Sequence, residues 1–370
     1  MEIPGQSMDG RTHFSDDPKM NKKKRVKEIN PGYRSLWYVL FLLVIIGLFG
    51  WGFHFYRNFF MPNISTGNQP SSYIYIRTGA DFKAVENLLS SHHFLRNMNS
   101  FEWVAQKKKY TEKVRPGRYK LVEGMNNNDL VNLLRAGIQE PVRLILQNAK
   151  NPEDLAGKIA AQIEGDSISL VNLMHNYSYL REFGVTPATV FTLMIPNTYE
   201  FLWNTNADQF IRRMYKERQK FWNDERLTKM SEEALDIPGV ITLASILEKE
   251  TVRNSEKPTI AGVYLNRLRK GWPLQADPTL IFLWNDTSIK RVLNKHKEID
   301  SPYNTYKNTG LPPGPICLPS VSSIDAVLNY EHSAYMYFCA KNDHSGYHSF
   351  AVTLAEHNRN AQRYQATLKR

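Results

Sequence analysis

The longest apolar run lies near the amino terminus, where Leu36 to Phe55 reads LWYVLFLLVIIGLFGWGFHF, uncharged when His54 is neutral. About 20 apolar residues in a row match a bilayer-crossing helix, whereas buried helices of soluble proteins are usually shorter and amphipathic. Trp37, Tyr38, Trp51 and Tyr56 stand near its two ends, as interfacial aromatics do. Bulky rather than small residues close the run, so it reads as an uncleaved anchor and not as a signal peptide.

Past the anchor the pattern shortens. Pro62 to Ser72 is rich in Asn, Ser, Thr, Gly and Pro and reads as a linker. Tyr73-Ile74-Tyr75-Ile76 predicts a strand. Asp81 can cap a helix to about Ser91 that lines up Phe82, Val85, Leu88 and Leu89. Helices are predicted over Ser100–Lys109 and Asn128–Arg135, the second stopped by Gly137, with a turn and strand at Val114–Leu121 and a strand at Val142–Leu146. From Asn148 the chain turns more helical. Pro152–Glu164 is periodic, and Ala207–Phe221 reads as a long, basic, solvent-facing helix. The apolar run Phe191–Phe201 is broken at Pro196, where a loop is expected. The fold class is α+β, in five segments: a basic tail (1–34), the anchor (35–57), a linker (58–72), a small α/β module (73–147) and a larger mixed α/β domain (148–370).

Charge orients this arrangement. Much of the net charge of +11 sits before the anchor, in Lys22, Lys23, Lys24, Arg25, Lys27 and Arg34. A basic cluster can serve nucleic acid, but the apolar run behind it makes this one a membrane flank, and no nucleic-acid partner is expected. The positive-inside rule then puts the amino terminus in the cytoplasm and everything after about residue 57 outside. Cys317 and Cys339 lie in that outer part, where a disulfide and two small buried residues are both open readings. Without clustered histidines they give no metal site.

Chemistry concentrates late in the chain. Ile246-Leu247-Glu248-Lys249-Glu250-Thr251 ends an apolar helical run opened by Pro238-Gly239. With Val240, Leu243, Ala244 and Leu247 as one stripe, Glu248 falls about 80° to one side and Glu250 about 80° to the other. The two carboxyls therefore cannot share a site as a pair, and periodicity alone leaves both as solvated surface residues. Two polar loops follow, Leu274-Gln275-Ala276-Asp277-Pro278-Thr279 and Tyr303-Asn304-Thr305-Tyr306, the latter leading into Gly310-Leu311-Pro312-Pro313-Gly314-Pro315. Such loops suit sugar recognition, and equally they suit turn architecture. Asp277, just before a proline, reads as a helix cap, and His348 and His357 read as structural hydrogen-bonders.

Taken in order, Leu243–Thr251, Tyr264-Leu265-Asn266-Arg267-Leu268, the two loops, Gly310–Ile316, His348-Ser349-Phe350 and His357-Asn358 resemble the endolytic murein transglycosylase (YceG-like) family. The likeness runs from about Tyr73 to the end. It implies that the small module is LysM-like and that Glu250, the second glutamate of its segment, is the catalytic acid. It implies cleavage of the β-1,4 bond between N-acetylmuramic acid and N-acetylglucosamine within nascent glycan strands, leaving 1,6-anhydro ends and ending strand elongation. Gln275, Asn304 and Tyr306 become expected sugar contacts. No cofactor or metal is implied. Expected partners are the glycan strands, the membrane through one helix, and the polymerases and transpeptidases that make the wall. Two positions depart from the family pattern, Asn197 for a frequent Asp and Ala276 for a frequent Thr; neither touches Glu250.

Overall fold

The computed structural model describes residues 31–67, 69–285, 292–343 and 345–368, so the basic tail expected at 1–34 lies outside them but for its last residues. Two units divide the chain, one ending at Asn58 and one beginning at Phe59. The first holds nearly all of α1 (Pro31–Phe60), whose stretch Ser35–Phe60 is 26 residues long and apolar enough to cross a membrane. At 1.5 Å per residue that stretch spans about 39 Å.

The second unit is mixed α+β. Strands β1 (Ser71–Ile76) and β2 (Gly117–Val122) form an antiparallel pair in which Tyr73 faces Lys120. Helices α2 (Phe82–Ser91), α3 (Met98–Lys107) and α4 (Asn127–Ala136) accompany it. Side chains one residue ahead of each helix satisfy its free N–H groups: Asp81 accepts from Ala84, Asn97 from Ser100 and Asn126 from Asp129. Gly137 ends α4 in a left-handed turn at φ 70°, the glycine stop that its position predicts. Ile74, Val85, Leu89, Phe101, Val104, Tyr119, Leu121 and Leu130 are fully or almost fully buried here.

Strand β3 (Val142–Leu146) pairs not with β1 or β2 but with β4 (Asn197–Phe201), antiparallel, Leu144 facing Tyr199. So a strand, rather than the expected loop, begins at Asn197, directly after Pro196. Proline favours extended backbone in the residue before it, and an extended entry is what a strand needs. Around this pair lie α5 (Pro152–Ala160), α6 (Ser167–His175), one-turn α7 (Tyr177–Leu180), a 3-10 stretch (Pro187–Leu193) and α8 (Ala207–Phe221), sharing one core that includes Leu144, Ile159, Met174, Phe191 and Phe210. Helix α8 begins where predicted, with Asn206 and Gln209 capping it reciprocally.

A second core forms around α10 (Ile237–Glu250), which follows α9 (Asp224–Glu232) and is capped by Asp236 accepting from Gly239. Every residue from Gly239 to Leu247 is buried. A helix covered all round is a central core helix rather than an amphipathic surface one. Its neighbours are α11 (Lys257–Arg269), α12 (Asp277–Trp284) and α13 (Val321–Leu328), followed by the hairpin of β5 (Tyr337–Ala340) with β6 (His348–Ala351), and by α14 (Leu354–Leu368). On α11, Gly262 lets the chain at Glu331 pass so close that a Cβ there would lie 2.4 Å from its carbonyl oxygen. Cys317 and Cys339 are free thiols, the first buried.

Candidate active site

The carboxyl group of Glu250 stands on the last turn of α10, where the helix leaves the core. Tyr264, one turn before Arg267 on α11, is 1% exposed and donates its hydroxyl to Glu250 Oε1 at 2.5 Å. Arg267 holds the surrounding backbone, donating from Nε to the Met336 carbonyl at 2.8 Å and from Nη1 to the Leu274 carbonyl at 2.5 Å. Positions three apart lie on one helix face, so α11 presents both side chains to the same place. Asp277 stands at the head of α12 and accepts the hydroxyl of Tyr306 on Oδ1 at 2.5 Å.

This surrounding sets the acidity of Glu250. Burial pushes its pKa up to about 7, the Tyr264 hydrogen bond pulls against that, the Asp277 charge adds to the rise and the Arg267 charge opposes it. Desolvation disfavours the carboxylate, and the two compensating groups do not outweigh it. Tyr264 itself is driven well above its ordinary value, first by burial and then by the Glu250 charge. It therefore stays a hydroxyl, and its one proton is directed to Glu250 Oε1. With Oε1 occupied as acceptor, the acid proton of Glu250 belongs on Oε2. A half-ionised acid near neutrality, with its proton on a defined oxygen, is suited to general acid–base work.

Glu248, on the other flank of α10, is built differently. Its Oε2 accepts from Lys257 Nζ at 3.1 Å and from the hydroxyls of Ser320 and Ser323 at 2.5 Å each. Burial works to raise its pKa, but these donors prevail and hold it below the usual carboxylate range. The two glutamates thus occupy separate environments, as the helical angles require. The expectation that both are solvated surface residues fails: both are partly buried at the end of α10, and only Lys249 between them is exposed.

The other predicted residues distribute unevenly. Gln275 is exposed and left-handed at φ 53°, with its backbone N–H bonded to the Thr305 carbonyl, so its amide is presented outward. Tyr306 is half-buried and joined to Asp277. Asn304 is 0% exposed: its amide donates to the carbonyls of Lys297 and Ile299 and accepts from the Tyr306 N–H. It shapes the loop and has no surface to offer a sugar in this conformation. Asp277 is no cap but the first residue of α12, and its charge acts on Glu250. The groups to which the sequence alone gave no chemical role are Tyr264 and Arg267 on the helix after Glu250 and the Asp277 carboxylate. His348 donates its backbone N–H to buried Glu256 at 2.8 Å, with Nδ1 3.0 Å from the same carboxyl. His357 stacks on Tyr337, whose other neighbours are the Arg267 guanidinium and the exposed ring of Trp272. Asn197 opens β4, exposed, and its side chain accepts from the Thr198 N–H. The Pro-Pro-Gly-Pro run packs so tightly that a Cβ on Gly314 would lie 2.0 Å from the Ala188 carbonyl oxygen.

An α+β protein with one apolar amino-terminal helix and a partly buried carboxyl raised toward neutrality has the group that general acid–base chemistry requires. Comparison narrows that chemistry. The family model of the YceG-like family matches residues 74–363, and the chain belongs to that family. It is 29% identical over 307 residues to an endolytic murein transglycosylase of Bacillus subtilis, covering 79% of this chain and 84% of that protein. It is 25% identical over 356 residues to an endolytic murein transglycosylase of Streptococcus pneumoniae, covering 87% of this chain and 64% of that one. The crystal structure of a YceG-like protein from Listeria monocytogenes matches with a TM-score of 0.52 at 28% identity, over 78% of this chain and 98% of that one.

Proposed function

We propose that this chain is a membrane-anchored endolytic murein transglycosylase, with Glu250 as its catalytic acid. The single observation that carries the reading is the Glu250 carboxyl, lifted to about 7 by burial and hydrogen-bonded by Tyr264. Protonated Glu250 gives the Oε2 proton to the glycosidic oxygen while positive charge grows at the anomeric carbon of N-acetylmuramic acid. As a carboxylate it then takes the proton of that sugar's own 6-hydroxyl, whose oxygen closes on the anomeric carbon. The products are a 1,6-anhydro end and a free 4-hydroxyl, and Glu250 finishes protonated as it began. The Asp277 carboxyl, held by Tyr306, offers charge that favours the cationic transition state. Gln275 and the ring of Trp272 supply polar and stacking contacts to the sugars.

In this reading the amino terminus is cytoplasmic, the helix anchors the chain in the cell membrane, and the second unit works outside on new glycan. The module from 73 to 147 acts as a LysM-like spacer or wall contact. The enzyme then ends strand elongation beside polymerases and transpeptidases. Asp277 also gives one structural argument to a second reading, a muramidase in which that carboxylate activates water.

Mass spectrometry of the products decides between them. The full-length protein in detergent, given uncrosslinked murein strands, is expected to yield 1,6-anhydro ends; reducing ends instead establish the muramidase. Glu250→Gln is expected to abolish cleavage with little change in the melt. Full activity in that variant removes Glu250 from catalysis, whereas a wild type that binds the strands without cutting them is a wall-binding scaffold.

A further inference from the structure

A cavity of about 460 Å³ lies between the start of α12 and the segment at Cys317, lined by Pro278, Ile281, Phe282 and Cys317, with Lys150 and Lys249 also in its wall. Its size falls within the roughly 300–1,000 Å³ of small-molecule sites. Two chain junctions locate it. Lys249 precedes Glu250 on α10, and Pro278 follows Asp277 on α12. The cavity wall therefore includes the chain neighbour of each acid of the candidate site, one residue along the backbone from Glu250 and from Asp277.

The lining has a definite chemical preference. The carbon surface of Pro278, Ile281 and Phe282 favours apolar groups, and the two ammonium groups favour anions. Of the two acids nearest Lys150 in sequence, Glu153 lies 2.7 Å from His175 Nε2 and Asp154 is engaged by Lys158 at 2.8 Å, and among the described residues no carboxylate lies within salt-bridge distance of Lys249. A glycan backbone is polyhydroxylated and largely neutral, so it does not account for carbon and positive charge together. A short peptide of small apolar residues ending in free carboxylates does, and murein carries one on the lactyl group of each N-acetylmuramic acid, beside the bond to be cut.

We propose that this cavity is a subsite for that peptide, with its methyl groups against Ile281 and Phe282 and its carboxylates at Lys150 and Lys249. The subsite rests on the glycan-cleaving function proposed above. It makes the enzyme selective for strands still bearing their peptides over stripped ones, because the peptide adds binding that the sugar chain cannot supply.

The test compares two substrates with the full-length protein in detergent: uncrosslinked murein strands, and the same strands stripped of peptide by an amidase. The wild type is expected to prefer peptide-bearing strands. Combining Lys150→Ala with Lys249→Ala is expected to lower kcat/KM on those strands by about tenfold, chiefly through KM, as the loss of two exposed charge contacts implies. Cleavage of stripped strands by the same variant stays at the wild-type rate. Ile281→Trp, which fills the cavity and leaves both lysines, is expected to give the same selective loss. Equal losses on both substrates, or no loss on peptide-bearing strands in either variant, overturns the subsite while leaving the enzyme a glycan cleaver. Failure of the wild type to cut either strand overturns the glycan reading, and the subsite with it.

Discussion

Replacing Tyr264 by Phe removes one oxygen from the site and little else, since the ring keeps its edge contact with Phe338 at 5.8 Å between centroids. The lost hydrogen bond is the one made to Glu250 Oε1 at 2.5 Å. A hydrogen bond to a charged acceptor is worth about 1.5–3 kcal/mol, and one to a neutral acceptor about 1. Ionised Glu250 therefore loses on the order of 1 kcal/mol more than protonated Glu250, which is close to one pH unit. The sign follows from the partner: Tyr264 pulls the Glu250 pKa down against burial, so its removal lets the pKa climb. A general acid must hold its proton, so activity falls as pH rises through that value. In the wild type the alkaline fall is expected near pH 7, where Glu250 titrates; in Tyr264→Phe it is expected about one unit higher. Initial rates of strand cleavage between roughly pH 5 and 9 measure this, with the melt as a control for folding. Because the proton is no longer confined to Oε2, the rate on the acid side also drops. An alkaline limb that stays in place, or moves down, refutes the assignment of Tyr264 as the residue that positions the acid.

Glu248→Ala probes the opposite flank of α10. It strands the Lys257 ammonium, whose side chain is 5% exposed, and is expected to cost about 3 kcal/mol by denaturant unfolding at neutral pH, while Glu250's alkaline limb stays put. Because the Glu248 pKa is held low by its donors, its contribution is present above the ordinary carboxylate range and lost as pH falls through the depressed value. The gap between wild type and variant should therefore close in acid, and a gap that persists there refutes the ion-pair account. Gly314→Ala drives a methyl group to 2.0 Å from the Ala188 carbonyl oxygen; a drop in Tm equivalent to about 1–3 kcal/mol is expected, and an unchanged Tm refutes the close approach.

The contrast between Asp81 and Asp277 shows how far the sequence could be read. Asp81 was legible because capping is local: an acceptor one position before an apolar periodic run has its partner three residues on, and Ala84 is that partner. Asp277 also stands at a helix start, but its meaning comes from Tyr306, 29 residues later, and from Glu250, 27 residues earlier. No local rule reaches that far. Periodicity failed at Glu248 and Glu250 for a related reason: it describes one helix as if a single stripe were covered, and α10 is covered by α11, α12, α13 and the Pro187–Leu193 stretch together. The angular argument still separated the two acids correctly, since angles belong to the helix alone. What it could not supply was the environment at each angle, which here is three donors for Glu248 and desolvation with one donor for Glu250. That difference in donors, rather than any difference between the two side chains, makes one glutamate a structural anion and leaves the other able to carry a proton at neutral pH.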